Sequence, residues 1–306
     1  MKIQKLGNRG QSPAFFDMSG RFRPGRAPWY GQGFRIGDRA AAYLYLKHWR
    51  QRYPARRLLI VEDNWIEGTE YSRWLPAKWL FPGIADEIWS TDSAKEVVKR
   101  PGGEPLYTDT LWTFWKSFAR SERTVVPNLE PDTLASKRAD TILQDFKVPA
   151  DYVTIQPLFD ATYDRHRNQT IGWWQSVIER IAGRVPTVVL GVPALSKQMK
   201  LPHNCYQIFV RGLDPMVSLA LIRKAAMHVG GATGTTLWAS MFRVPTVAVY
   251  NSWVSTGSTD VRPISFGKPV IYSPLSDIPE ATATRITHVY AELKKEVAGA
   301  VSAIPG

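Results

Sequence analysis

The sequence predicts an α/β protein built from two doubly wound domains, and three observations support this class. Short, largely apolar runs, such as residues 58–61 and 246–250, are typical of parallel strands covered by helices on both faces. These runs alternate with segments of helical periodicity, which is the pattern of a parallel sheet with crossover helices. The 306 residues are enough for two domains of ordinary size, each with its own core.

The first half of the chain contains one long predicted helix among three short predicted strands. The helix begins at Asp38, where apolar residues start to recur at helical spacing, and it ends before Pro54. Residues 106–118 are rich in aromatic side chains, and we expect this segment to pack near the boundary between the domains. The strands are predicted at residues 14–18, 58–61 and 87–90.

The second half alternates strand and helix regularly. A polar helix at about residues 131–146 leads into this half. Strands are predicted at residues 152–156, 187–191, 206–209 and 246–250, and helices at residues 171–182, 215–226 and about 280–297. Such alternation predicts a parallel sheet with helices on both faces.

A run of glycines and threonines at residues 230–236, here called the glycine–threonine loop, follows an apolar run and precedes a short helical segment. Glycines let the backbone approach a ligand closely, and Thr235 and Thr236 can cap the helix or donate hydroxyl hydrogen bonds. A helix that begins there directs free N–H groups and about half a positive charge at an anion, and we expect a diphosphate. The alternative interpretation is a tight strand-to-helix turn without a ligand.

The composition is that of a soluble and strongly basic protein. The 39 Lys and Arg exceed the 27 Asp and Glu, so the net charge is +12 and the pI is near 9.8. This excess is the electrostatic footprint of a polyanionic partner. Cys205 is the only cysteine, which excludes an internal disulfide and a cysteine-cluster zinc site. The sequence has no apolar stretch long enough for a transmembrane helix and no signal-peptide core, so we expect a cytoplasmic protein without integral membrane association.

Two distant motifs together resemble one enzyme family. Gly37 and Asp38 begin a helix that ends in Arg-x-x-Tyr-Pro at residues 50–54 and is followed by a strand. The second motif is Gly-Ala-Thr-Gly at residues 231–234, followed by a helix and by Val-Pro-Thr-Val at residues 244–247. In these motifs, and in the order of elements over most of the chain, the sequence resembles the heptosyltransferase-like glycosyltransferases of glycosyltransferase family nine.

The resemblance implies a GT-B fold, in which two Rossmann-like doubly wound domains face each other across a cleft. Residues 1–130 would form the acceptor-binding domain, and residues 131–280 would form the nucleotide-sugar-binding domain. Residues 281–306 would form a last helix that crosses back to the first domain. We expect the protein to be a monomer.

The resemblance also implies an inverting transfer of a sugar from a nucleotide-diphosphate sugar. Such a transfer needs a base for the acceptor hydroxyl, stabilisation of the leaving diphosphate and an in-line donor. The catalytic aspartate of the family corresponds to Asp38, which is therefore the predicted base. The alternative for Asp38 is an ordinary helix N-cap, a position at which Asp is preferred.

The expected donor site needs no metal ion and no cofactor, since the nucleotide sugar is a co-substrate. The chain lacks the Asp-x-Asp motif that serves metal-dependent glycosyltransferases of the other major fold. Cationic side chains and a helix N-terminus would stabilise the diphosphate instead, although a basic segment can also be a solvated loop. The predicted donor-binding residues are Arg165, Arg167, Gly231, Thr233, Gly234, Thr235 and Thr236.

The sequence departs from the family inside the glycine–threonine loop and just after it. Ala232 stands where the family usually has Asp, and Leu237 stands where it has His. Both positions bear on the donor in the family. The departures therefore indicate a donor other than ADP-heptose, with the diphosphate cradle retained.

A basic and aromatic segment precedes the predicted base. Residues 19–35 alternate arginines, glycines and aromatic side chains where the family has a short loop. Arginines interleaved with aromatic residues are typical of nucleic-acid binding, in which the arginines contact phosphates and the aromatic rings stack on bases. We expect a DNA acceptor, with the reacting hydroxyl on a hydroxymethylated pyrimidine base of the kind that phage enzymes modify. The predicted acceptor-binding residues are Arg21, Arg23, Arg26, Trp29, Tyr30 and Arg35.

Three alternatives stay open at this point. Enzymes that act on the phosphorylated core of lipopolysaccharide are basic for the same electrostatic reason, so the acceptor can be that saccharide. A non-catalytic nucleic-acid-binding protein on the same scaffold would also explain the charge. A sugar-nucleotide epimerase shares the two-domain fold, but it would need further acid and base residues in the donor pocket, and the sequence shows no such set.

Overall fold

The structure is a computed structural model, and it describes most of the predicted helices and strands. The residues that it describes are 12–18, 36–63, 77–91, 101–106, 129–157, 169–191, 199–208, 215–231, 233–250, 266, 268–274 and 276–302. The chain divides into two compact units, Met1–Leu129 and Glu130–Gly306.

The first unit contains a four-stranded parallel sheet. Its elements are β1 (Ala14–Asp17), α1 (Ile36–Arg52), β2 (Leu58–Asp63), α2 (Ala77–Leu80), β3 (Glu87–Thr91) and β4 (Glu104–Leu106). The strand order is β3-β2-β1-β4. The three predicted strands and the long helix are confirmed to within two residues at each end. β4 and α2 are not predicted, because each is too short for a periodic pattern and β4 contains Pro105.

Helix α1 is enclosed from Arg39 to Leu46. Every side chain from Arg39 to Leu46 is buried, which is the pattern of a helix in a core rather than on a surface. The helix ends at Arg52, two residues before Pro54, which cannot continue it. Arg50 in its last turn donates to the carbonyl oxygen of Ile84 at 2.8 Å. Packing thereby fixes the helix at residues 39–46, and a charge-assisted hydrogen bond fixes its last turn.

The second unit contains a six-stranded parallel sheet. Its elements are α3 (Thr133–Asp145), β5 (Val153–Gln156), α4 (Ile171–Ile181), β6 (Thr187–Val189), β7 (Cys205–Gln207), α5 (Pro215–Lys224), β8 (Met227–Gly230), α6 (Gly234–Met241), β9 (Thr246–Tyr250), β10 (Val270–Pro274) and α7 (Pro279–Ser302). The strand order is β10-β9-β8-β5-β6-β7. If β5 to β10 are renumbered 1 to 6, the order read from β7 to β10 is 3-2-1-4-5-6, which is the order of the doubly wound Rossmann fold.

The two faces of this sheet are covered by different helices. Trp174 of α4 and Ile286 of α7 pack with Val153 and Val229 in one hydrophobic core. On the opposite face, Gly230 of β8 lies directly under Thr236 of α6. The prediction of a parallel sheet with helices on both faces is therefore confirmed for this unit.

Strand β10 is an element that the sequence does not predict. It pairs in parallel with β9, with Ile271 opposite Val247, and it forms one edge of the sheet. Tyr272 is exposed, and Pro274 ends the strand. Its apolar run, residues 270–272, is short and is bounded by Pro269 and Pro274, so the sequence pattern alone does not distinguish it from a loop.

The last helix packs within the second unit along its described part. Its core residues contact α4, and Tyr290 donates to Asp151 Oδ2 at 2.6 Å, just before β5. The expected crossing of the chain end to the first domain stays a prediction. Among the described residues, no helix combines the length and the apolarity needed to cross a bilayer.

Candidate functional site

The strand order locates a candidate site at the carboxyl ends of two central strands of the second sheet. β5 and β8 are neighbours, and the chain leaves them toward opposite sides of the sheet. In open α/β sheets, ligands bind beside the carboxyl ends of strands at such a switch point. The glycine–threonine loop follows the carboxyl end of β8. The structure therefore brings the predicted diphosphate loop to the position where this topology binds ligands.

Gly230 is required by close packing at the start of this loop. A Cβ on Gly230 would lie 2.3 Å from Thr236 Oγ1 and 2.8 Å from His228 Nε2, distances that real Cβ atoms do not show. Only glycine therefore lets the first turn of α6 approach β8 this closely.

Thr233 is the N-cap of α6, and its side chain accepts a hydrogen bond from the Thr236 N–H at 3.3 Å. Thr236 Oγ1 in turn donates to the carbonyl oxygen of Gly231 at 2.8 Å. Thr233 Oγ1 lies 2.9 Å from Thr236 Oγ1 and 2.7 Å from Thr235 Oγ1. The cap is therefore Thr233 rather than Thr235 or Thr236, because the helix begins at Gly234.

The three hydroxyl groups have only three protons, and this fixes the direction of each bond. Since the Thr236 proton goes to Gly231, Thr233 must donate to Thr236, and Thr235 must donate to Thr233. All three hydroxyl protons are thus used inside the loop. A bound anion would be held by the backbone rather than by these hydroxyls.

Two backbone N–H groups remain available at the start of α6. The N–H of Thr236 goes to the Thr233 hydroxyl, and that of Leu237 to the Thr233 carbonyl at 3.4 Å. The N–H groups of Gly234 and Thr235 have no acceptor within the described part of the chain, as the first donors of a helix usually do not. Together with the partial positive charge of the helix start, they can bind an anion.

His228 is a buried polar residue beneath this loop, and it is not among the site residues predicted from the sequence. It is fully buried, and its Nδ1 lies 3.0 Å from Thr154 Oγ1 on the neighbouring strand. Its Nε2 has no hydrogen-bond partner among the residues described. Burial lowers the pKa of His228 to about 3, so the imidazole is neutral near pH 7. The available signal was a histidine inside an apolar strand, in register with a threonine on the next strand.

The buried imidazole predicts a pH dependence of stability. The pKa of His228 falls from 6.5 to about 3 on folding, so between these values the unfolded chain binds one more proton. Stability is therefore lost as pH falls from about 6.5 toward 3, by up to about 1.4 kcal/mol per pH unit. We expect His228→Asn, which lacks a titratable group, to reduce this slope in urea unfolding followed between pH 7 and pH 4. Thr154→Val keeps the imidazole buried and should keep the slope, whereas an unchanged slope in His228→Asn would contradict the assignment.

Asp38 lies in the first turn of α1. The helix begins at Ile36, so the backbone of Asp38 is already helical and Asp38 follows the helix start instead of preceding it. A carboxylate within the first turn is favoured by the helix dipole. The side chain of Asp38 lies outside the described residues, and its catalytic role stays a prediction.

Several other predicted site residues lie outside the described residues. For the donor, these are Arg165 and Arg167, together with Ala232 inside the loop. For the acceptor, they are Arg21, Arg23, Arg26, Trp29, Tyr30 and Arg35. In the parts of the chain that the structure describes, no group of three or more His, Cys, Asp or Glu side chains is arranged to hold a metal ion.

The fold is similar to that of two solved glycosyltransferase structures. The glycosyl transferase family 9 from Veillonella parvula DSM 2008 has a TM-score of 0.55 at 11% identity, with 88% of this chain and 87% of that chain covered. E. coli ADP-heptose lps heptosyltransferase II has a TM-score of 0.55 at 10% identity, with 92% of this chain and 99% of that chain covered. These likenesses confirm the predicted two-domain α/β fold class of the GT-B type.

The sequence itself matches no protein-family model and no curated protein. The likeness is thus one of fold, and function has to be argued from the site.

Proposed function

We propose that this protein is a glycosyltransferase that moves a sugar from a nucleotide-diphosphate sugar to a hydroxyl group, with inversion and without a metal ion. The observation that carries the proposal is the glycine–threonine loop. It lies at the switch point of the second sheet and offers the N–H groups of Gly234 and Thr235 to an anion. The fold shared with two glycosyltransferases supports the same class of reaction.

The donor diphosphate is assigned to the second unit. The N–H groups of Gly234 and Thr235 bind its oxygens, while Thr233 and Thr236 hold the loop in shape through their hydroxyl chain. Gly231 contributes its carbonyl oxygen to that chain. Arg165 and Arg167 are assigned as the cations that complete the neutralisation, since a guanidinium forms charge-assisted hydrogen bonds to phosphate.

Proton abstraction is assigned to Asp38 in the first unit. The acceptor hydroxyl transfers its proton to the Asp38 carboxylate as its oxygen attacks the anomeric carbon. The bond between that carbon and the diphosphate oxygen breaks at the same time, and the bonding electrons leave with the diphosphate. The N–H groups of Gly234 and Thr235 stabilise the negative charge that develops on this leaving group.

A panel of nucleotide sugars, incubated in chelator with and without acceptors, tests the proposed reaction. We expect mass spectrometry to find the sugar on an acceptor and the free nucleoside diphosphate beside it. Altered sugar nucleotide without any acceptor would indicate an epimerase, and tight DNA binding without turnover would indicate a binding protein. Loss of all activity in chelator would overturn metal independence.

We propose that the acceptor is polyanionic, with a hydroxymethylated pyrimidine base in DNA as the favoured case. The net charge of +12 and the alternation of arginines with aromatics at residues 19–35 support this choice. The alternative acceptor is a lipopolysaccharide core, because one protein with this fold is an lps heptosyltransferase.

The replacement of the usual family residues by Ala232 and Leu237 favours a donor other than ADP-heptose. A monomeric, cytoplasmic protein stays our prediction.

The basic segment predicts a salt dependence that separates the two acceptors. DNA binding should weaken with salt by a log–log slope of about −0.9 per phosphate neutralised, so Arg21→Ala with Arg23→Ala should reduce the slope by roughly two. The control pair, Arg138→Ala with Arg184→Ala, makes the same charge change at exposed positions of the second unit and should keep the slope. Fluorescence anisotropy with hydroxymethylated and plain duplexes provides the measurement. Absence of DNA binding at low salt would leave the saccharide acceptor.

A further inference from the structure

A buried ion pair links α1 to the sheet of the first unit. Arg39 Nη1 lies 3.2 Å from Glu62 Oε2, and both side chains are almost fully buried. Arg39 is in the first turn of α1, immediately after Asp38, and Glu62 lies one residue before the carboxyl end of β2.

Three elements converge on the Glu62 carboxylate. Besides Arg39, its Oε2 accepts the N–H of Ala77, the first residue of α2, at 2.9 Å. Its Oε1 accepts Ser90 Oγ of β3 at 3.0 Å. The carboxylate thus joins the starts of two helices to two neighbouring strands at the carboxyl edge of the sheet.

Stability alone is a weak explanation for this arrangement. Removing two charges from water costs several kcal/mol per ion, and replacing a buried pair by apolar residues of similar volume is often neutral or stabilising. A buried pair does define a geometry, because a guanidinium and a carboxylate satisfy each other in few orientations. Here the pair fixes the position of the first turn of α1 relative to β2.

We propose that Arg39 and Glu62 are a positioning pair that holds the first turn of α1, and with it the backbone of Asp38, at the carboxyl edge of the first sheet. The pair also balances charge, because Glu62 neutralises the cation adjacent to the base in sequence. This inference rests on the proposed role of Asp38 as base, and it concerns how that residue is held.

The test uses Glu62→Gln in the full-length protein. The amide has a similar shape but loses the negative charge and one of its acceptor oxygens. We expect kcat to fall by about 10–100-fold, the scale of a misplacement near 1 Å, while the donor KM stays within about twofold. The Arg39 guanidinium then lacks its counter-charge and favours the ionised form of Asp38. The pKa of Asp38 should therefore fall, and the acid limb of the kcat/KM profile should move to lower pH. A purely structural role would not move that limb.

Two further variants keep the test decisive. Arg39→Met combined with Glu62→Gln removes both charges at similar volume and keeps an acceptor oxygen at position 62, so it should fold while kcat stays low. The matched control is Arg50→Lys in the last turn of α1, where Arg50 bonds Asp86 and the Ile84 carbonyl. It perturbs the same helix away from Asp38, and its kcat should equal that of the wild type.

Hydrogen exchange gives a readout that is independent of turnover. In Glu62→Gln, amides at residues 39–42 should exchange about tenfold faster, while those at residues 47–52 keep their rates. Unchanged exchange and unchanged kcat would overturn the positioning role, as would equal losses of kcat in Glu62→Gln and Arg50→Lys. Wild-type turnover in Asp38→Asn would instead refute the base assignment, and the exchange result would still decide whether the pair holds the turn.

Discussion

Asp38→Asn is expected to reduce kcat for sugar transfer by about a hundredfold to ten-thousandfold, the usual cost of losing a general base. The carboxylate accepts the acceptor proton in the proposed reaction, and an amide cannot. Donor affinity should remain unchanged, because the diphosphate is assigned to the glycine–threonine loop in the other unit. Single-turnover rates and calorimetric titration with the nucleoside diphosphate measure the two effects separately.

The same substitution also tests the alternative that Asp38 only stabilises the first turn of its helix. Asn has a similar size and keeps an acceptor oxygen, so a purely structural role predicts normal folding and normal turnover in Asp38→Asn. Asp132→Asn is the matched control, since Asp132 caps α3 by accepting the Ala135 N–H at 2.7 Å. Full turnover in both variants would remove Asp38 from the mechanism.

Gly230→Ala is expected to have the largest effect on the donor site. The added methyl would lie 2.3 Å from Thr236 Oγ1 and 2.8 Å from His228 Nε2, so the first turn of α6 must move away from β8. Such overpacking typically costs about 1–3 kcal/mol of folding free energy. Because Thr236 anchors the hydroxyl chain, the N–H groups of Gly234 and Thr235 would also move. We expect nucleoside diphosphate affinity to fall by at least about tenfold, on the same energy scale.

Gly172→Ala is the control for this change. A Cβ on Gly172, on the exposed side of α4, would meet no atom within 4 Å. It should therefore keep the stability within about 1 kcal/mol of the wild type and leave nucleotide binding unaltered. Chemical unfolding and calorimetry measure both variants. Wild-type nucleotide affinity in a stably folded Gly230→Ala protein would show that the loop is only a strand-to-helix turn.

The central elements were predictable because they carry strong patterns. Strands such as β2 and β9 are apolar along most of their length, as strands covered on both faces must be. Helices such as α4 begin at a capping residue, here Thr170, whose side chain accepts the Trp173 N–H. Edge strands β4 and β10 have at most a short apolar run next to proline, and only their pairing in the structure identifies them.

The candidate site was predictable in location but not in its chemistry. The sequence places the glycine–threonine loop correctly between a strand and a helix, yet it suggests Thr235 and Thr236 as hydroxyl donors. Their protons are used within the loop, because Thr236 donates to the Gly231 carbonyl and Thr235 donates to the Thr233 hydroxyl. The pairs formed by His228 with Thr154 and by Arg39 with Glu62 depend on strand register and on helix placement, which local sequence does not define.

The pairing of β5 with β8 has a consequence for synthesis of the chain. Thr154 and His228 lie 74 residues apart, and the strands that carry them are neighbours in the middle of the sheet. At translation rates of about 5–20 residues per second, β5 leaves the ribosome about 4–15 s before β8 exists. During this interval one edge of β5 has no native partner and can pair with another chain. A co-expressed holdase that covers this edge should therefore raise the soluble yield more than stabilising substitutions elsewhere in the fold.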